Sequence, residues 1–151
     1  MLDTDYINLG FSGNAKAEDE IADYIAGLDM SVFVYDYDHN APTVEHLAAT
    51  HEKLFRKFRE KHPETPVIMM SRPKYHLTDE EEKRLAVVRK TYENAAASGD
   101  KNVYLLTGPE MFDEFSVECA TVDNCHPNDS GFICMAKSLI PMLKNCLEQK
   151  K

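Results

Sequence analysis

The sequence lacks any excess of positive charge. Its 151 residues include 17 lysines and arginines against 26 aspartates and glutamates, which gives a net charge of −9. Nucleic acids and anionic membranes bind basic surfaces, because lysine and arginine displace the counterions of the phosphate groups. We therefore expect neither a nucleic acid nor a membrane as a partner.

Long apolar runs and metal-type cysteine spacings are also missing. No stretch approaches the roughly 18 apolar residues that cross a bilayer, and the first residues do not have the pattern of a signal peptide. No C-x-x-C pair occurs among the four cysteines, which are Cys119, Cys125, Cys134 and Cys146. A chain of this length buries a core without disulfides. We expect reduced thiols, no metal and a cytoplasmic location, with any targeting signal lying ahead of Met1.

Strand-like and helix-like segments alternate along the chain. Short apolar runs, rich in β-branched and aromatic residues, predict four strands at 6–10, 31–37, 66–70 and 102–106. Apolar residues spaced three to four apart predict helices between and after them. Asn14 is placed to cap the first helix, and Thr78 with Glu81 forms a capping-box pattern. This alternation predicts one α/β domain over residues 1–151, with a parallel sheet covered on both faces.

The sharpest motif lies in the loop before the last helix, in the stretch TVDNCHPNDSGF at 121–132. In such folds the functional loops lie at the carboxyl ends of the strands. Asp123 can accept a hydrogen bond from one nitrogen of His126, which leaves the other nitrogen free to act as a base. The same pair could simply organise the start of the helix. The motif by itself leaves both interpretations open.

Three stretches together resemble conserved blocks of one family. In order and spacing, INLGFSGNA, VFVYDYDHNAP and TVDNCHPNDSGF resemble the second, third and fifth blocks of the SGNH (GDSL-like) hydrolases. The intervening VIMMSRP and GDKNVYLLTGPEMF are similar to the branch found among bacterial carbohydrate esterases and acetylhydrolases. The resemblance implies a flavodoxin-like, three-layer α/β/α fold.

The resemblance also implies roles for individual residues. His126 would be the catalytic base and Asp123 its orienting carboxylate, while the Gly13 amide and the Asn40 side chain would form an oxyanion hole. No metal or organic cofactor is implied. Each oxyanion residue also has a plainer interpretation, because Gly13 suits a turn with positive φ and Asn40 suits an ordinary turn.

Two further residues are candidates for the mouth of a substrate site. Ser12 lies beside the oxyanion glycine, and Arg72 lies at the carboxyl end of a predicted strand. A structural salt link is an equally good explanation of Arg72. The other five histidines, His39 among them, are expected to be surface or lip residues.

One family block has no counterpart in this sequence. That block, a strand followed by the turn with the nucleophilic serine, would precede Tyr6. We therefore expect no nucleophile in this chain and a sheet without its first, central strand, which belongs between the strands ending at Gly10 and Tyr37. Unpaired sheet edges favour pairing with another chain, so we also expect a homo-oligomer.

Two functions follow from these observations. The first is an ester hydrolase that removes small acyl groups, such as acetyl, from a carbohydrate or another small ester. The alternative is a non-catalytic α/β binding module, or inactive fragment, that keeps the cleft without the chemistry. A third arrangement, with Ser12 as the nucleophile, is disfavoured because Asn14 stands where the G-x-S-x-G turn requires glycine.

Overall fold

A three-stranded parallel sheet forms the centre of the computed structural model, which describes residues 2–148. Its strands lie in the order β1 (Phe33–Tyr35), β2 (Val67–Met70) and β3 (Val103–Leu106). Parallel neighbours require long crossover connections, which helices provide. The five helices are α1 (Asp19–Ala26), α2 (Val44–Lys61), α3 (Asp79–Ala97), α4 (Gly108–Met111) and α5 (Asp129–Glu148).

Strand β2 is buried on both faces, and its alternating side chains enter two separate cores. Val67 and Met69 pack in one core with residues of α1, α2 and α3. Ile68 and Met70 pack in the other with residues of α4 and α5. Successive residues of a strand point to opposite faces, so a strand between two helical layers is apolar throughout. The predicted three-layer α/β/α fold is confirmed.

Of the two helix caps that the sequence predicts, the structure has one and lacks the other. Helix α3 begins with the expected capping box of Thr78 and Glu81. Helix α1, however, begins at Asp19 after Glu18, and the Asn14 side chain donates to the Phe11 carbonyl instead of capping it. The predicted cap is wrong because the backbone turns at Ala17, whose φ is 59°.

The strand predicted at 6–10 is also wrong. These residues form no strand, and Tyr6 and Ile7 are 87% and 64% exposed. A strand is stabilised by the hydrogen-bond ladder to a neighbour, and among residues 2–148 the one strand paired with β1 is β2. The arrangement is that of a family sheet without its central strand, so the sheet has three strands where the sequence predicts four.

Within residues 2–148, no helix is both long enough and apolar enough to cross a membrane.

Candidate functional site

The loop from 121 to 128 is held in a compact turn by one carboxylate. Asp123 Oδ1 accepts hydrogen bonds from the backbone N–H groups of Cys125, at 3.1 Å, and His126, at 2.8 Å. Asn124 between them has a φ of 61°, a left-handed conformation that asparagine tolerates better than most residues. The turn is closed by a hydrogen bond of 2.9 Å from Val122 N to the His126 carbonyl. Asp123 therefore fixes the backbone that carries His126.

Asp123 also fixes the ring of His126. The expected hydrogen bond is present, with Nδ1 of His126 2.7 Å from Oδ2 of Asp123. An ionised carboxylate only accepts hydrogen bonds, so the ring proton lies on Nδ1 and Nε2 keeps its lone pair. The backbone N–H of His126, followed by its side chain, lowers the pKa of Asp123 to about 2. Asp123 is therefore ionised at neutral pH.

The same loop is attached to the first turn of α5. Asn128 accepts a hydrogen bond from Gly131 N at 3.1 Å and donates to the Cys119 carbonyl at 2.7 Å. Contact here is close, since a Cβ added to Gly131 would lie 2.1 Å from the Ala120 carbonyl oxygen. Glycine at 131 thus lets the loop lie directly on the helix. The loop that carries Asp123 and His126 is therefore tied to α5 at its base.

A second loop, the turn of residues 38–40 after β1, is anchored by a buried carboxylate. Asp38 is 1% exposed, and its Oδ2 accepts a hydrogen bond of 2.8 Å from Arg72 N. The guanidinium of Arg84 lies 3.5 Å from Asp38 Oδ1 and donates to the carbonyls of Asp38 and Ala41, at 3.0 Å each. These contacts tie the turn to the carboxyl end of β2 and to helix α3. They thereby position His39 and Asn40.

The two loops meet through His126 and two residues that the sequence did not single out, His39 and Cys125. The rings of His39 and His126 have centroids 5.8 Å apart, and Nε2 of His39 lies 3.3 Å from Sγ of Cys125. Burial, followed by the charge of Arg72, lowers the pKa of His39. The one sequence signal was adjacency, because His39 precedes Asn40 and Cys125 precedes His126. Asn40 lies half-buried in the same turn as His39.

Arg72 forms a structural salt link, which was one of the two roles that the sequence suggested for it. Its Nη1 lies 3.2 Å from Oε1 of Glu81, which also binds Lys74 Nζ at 3.0 Å. Burial raises the pKa of Glu81, but hydrogen bonds from Thr78, Lys74 and Arg72 outweigh it and bring the pKa to about 2. The link therefore persists at neutral pH and joins the loop after β2 to the start of α3. A role for Arg72 at a substrate mouth stays a prediction.

Ser12 and Gly13 lie in a short exposed turn at residues 11–13. Gly13 has a φ of 85°, as the turn interpretation requires, and Ser12 has a φ of 48°. Within the described residues, no hydrogen bond joins this turn to the 121–128 loop. A second serine near the strand ends, Ser71, is buried and accepts a hydrogen bond from Gly108 N at 2.8 Å. Neither serine is hydrogen-bonded to His126.

Solved structures share this architecture. A GDSL-like lipase from Bacteroides ovatus is 28% identical, with a TM-score of 0.78 over 94% of this chain and 43% of its own. A salicylyl-acyltransferase from a tetracycline biosynthetic pathway is 20% identical, with a TM-score of 0.69 over 86% of this chain and 42% of its own. A family two carbohydrate esterase from Clostridium thermocellum is 17% identical, with a TM-score of 0.63 over 80% of this chain and 37% of its own. The last two likenesses concern the fold alone.

The chain thus spans less than half the length of these solved structures. No curated protein matches its sequence significantly. The model of the GDSL-like lipase/acylhydrolase family, however, matches residues 1–144. The chain belongs to the GDSL-like lipase/acylhydrolase family.

Proposed function

We propose that this chain contributes the acid-base half of an esterase site that transfers small acyl groups from an ester to water. The observation that carries the proposal is the 2.7 Å bond between Asp123 and His126. It leaves Nε2 of His126 free on a ring whose side chain is 71% exposed. A base for acyl transfer needs this combination of a fixed tautomer and an accessible nitrogen.

The proposed reaction has two steps. Nε2 of His126 takes the proton of a serine hydroxyl as the serine oxygen attacks the acyl carbonyl, and it then gives that proton to the leaving alcohol. A water molecule hydrolyses the acyl-serine by the same proton transfers in reverse roles. The Gly13 amide and the Asn40 side chain are the proposed donors to the oxyanion. In subtilisin, loss of one such donor costs about 3 to 4 kcal/mol.

The nucleophile in this proposal is a serine from outside the 151 residues. Ser71 is buried, and Ser12 lies in a turn with no hydrogen bond to the His126 loop. The substrate class that we propose is an acylated carbohydrate or a similar small ester. The sequence blocks that resemble carbohydrate esterases and acetylhydrolases support this choice, and one of the structural neighbours is a carbohydrate esterase.

The test is an assay of p-nitrophenyl acetate hydrolysis by two proteins. One is the chain itself, and the other is a fusion in which the serine-bearing strand and helix of a family member precede residue 1. We expect the first to stay close to the background rate and the second to be active. In subtilisin, loss of the serine or the histidine alone lowers turnover by about a million-fold, as much as loss of the whole triad.

Three variants of the fusion assign the roles. His126→Ala should abolish its activity, Asn40→Ala should lower it by roughly a hundredfold or more, and Ser12→Ala should leave most of it. A correctly folded Ser12→Ala protein without activity would make Ser12 the nucleophile. A folded fusion that stays at background would favour the non-catalytic binding module.

A further inference from the structure

The residues that join the two loops have the composition of a metal site. His39, Cys125 and His126 each offer one ligand atom, and these three atoms lie within 4.8 Å of one another. Two imidazoles and a thiolate suit zinc, which binds nitrogen and sulfur in a tetrahedral arrangement. We propose that His39 Nε2, Cys125 Sγ and His126 Nε2 bind one zinc ion, with water as the fourth ligand.

One pair of the proposed ligand atoms already has the spacing that zinc requires. A tetrahedral zinc with bonds of about 2.0–2.3 Å holds its ligand atoms about 3.3–3.8 Å apart. The pair His39 Nε2 and Cys125 Sγ already lies at 3.3 Å. The turn of residues 38–40 is anchored by the buried Asp38, and the loop of residues 121–128 is anchored by Asp123. The three ligand atoms thus come from two anchored loops and lie within 4.8 Å of one another.

The protonation states also suit a metal. Asp123 holds the proton of His126 on Nδ1, which directs the lone pair of Nε2 away from the carboxylate. Metal-binding histidines commonly donate their other N–H to a carboxylate in this way. Zinc binds neutral imidazole and thiolate, so binding should strengthen as the pH rises.

Charges of both signs surround the proposed ion. Arg72 and Arg84 act on His39 from the neighbouring elements and oppose a bound cation, whereas the carboxylate of Asp38 favours it. The Cys125 thiolate and the ionised Asp123 supply two negative charges, which match the two charges of zinc.

Zinc would have a direct effect on the site. Its bond to Nε2 of His126 occupies the lone pair that takes the serine proton, so the metal form would be inactive. This consequence rests on the proposed esterase function. The metal site itself does not, since its ligands and geometry are independent of any ester.

The test uses cobalt(II) as a coloured substitute for zinc on the full chain. We expect one equivalent of Co²⁺ to give the visible bands of a tetrahedral site and a thiolate-to-cobalt band in the near ultraviolet, both removed by added Zn²⁺. Cys125→Ser should remove the thiolate band, and the matched control Cys119→Ser, an exposed cysteine elsewhere, should keep it. Asp123→Asn should weaken binding by about 10- to 100-fold. A thiolate band that survives Cys125→Ser, or no band in the unaltered chain, overturns the site.

A second measurement needs no variant. Zn²⁺ should protect Cys125 from alkylation by iodoacetamide while Cys119 in the same molecule stays reactive, as read by peptide mass spectrometry. Equal alkylation of Cys125 with and without zinc would refute the proposal. Neither readout involves ester hydrolysis, so a failure of the esterase proposal would leave both results unchanged.

Discussion

Replacing Asp38 by alanine should destabilise the protein more than any loss of an exposed ion pair. Asp38 is 1% exposed, and the Arg84 that faces it at 3.5 Å is 3% exposed. The substitution leaves the Arg84 charge buried without this carboxylate and removes the acceptor of Arg72 N. Removing one partner of a buried pair costs about 3–5 kcal/mol.

The structure places the expected loss near the lower end of that range. Arg84 keeps its hydrogen bonds to two backbone carbonyls and an ion pair of 3.2 Å with the exposed Glu80. We expect the free energy of unfolding to fall by about 3 kcal/mol. For a domain of this size that corresponds to a fall in Tm of roughly 6–12 °C.

Urea and thermal unfolding followed by circular dichroism measure the change. The matched control is Asp19→Ala, which removes a carboxylate from the exposed pair with Lys53 and should hardly move the unfolding midpoint. If Asp38→Ala lowers the free energy of unfolding by less than about 1 kcal/mol, Asp38 does not anchor the turn of residues 38–40. The account of how His39 and Asn40 are positioned would then be wrong.

Two further predictions concern stability. Gly131→Ala places a methyl 2.1 Å from the Ala120 carbonyl oxygen, so it should lower the free energy of unfolding by about 1–3 kcal/mol despite the better helix propensity of alanine. The control Gly27→Ala, whose added methyl lies 3.4 Å from its nearest atom, should change the stability little. Equal urea midpoints for the two variants would refute the close contact at Gly131. Burial lowers the pKa of His51 in the folded protein to about 3. The unfolded chain therefore binds a proton at His51 below about pH 6.5 while the folded protein does not, so the free energy of unfolding falls as the pH drops below about 6.5. Between about pH 6 and pH 5 the unaltered protein should lose about 1.2 kcal/mol more than His51→Gln, and identical slopes of unfolding free energy against pH would contradict this.

The sequence by itself determined the layers of the fold and the hydrogen-bonded pair of Asp123 and His126. The apolar runs at 66–70 and 102–106 became β2 and β3, because continuous apolar strands are stable only between two covering layers. The three-residue spacing of Asp123 and His126 determined their hydrogen bond, since both lie in one short turn. Local patterns are reliable where the interaction itself is local, as in the capping box of Thr78 and Glu81.

Tertiary structure decided the rest. The run at 6–10 has the composition of a strand but no ladder partner among residues 2–148, and a strand cannot form on composition alone. Asn14 does not cap α1 because the backbone turns at Ala17, which adopts a left-handed conformation that alanine rarely takes. The meeting of His39 with Cys125 joins residues 86 positions apart, through loops that Asp38 and Asp123 anchor separately. No periodicity or spacing encodes such a contact, because it depends on how the strand ends converge at one edge of the sheet.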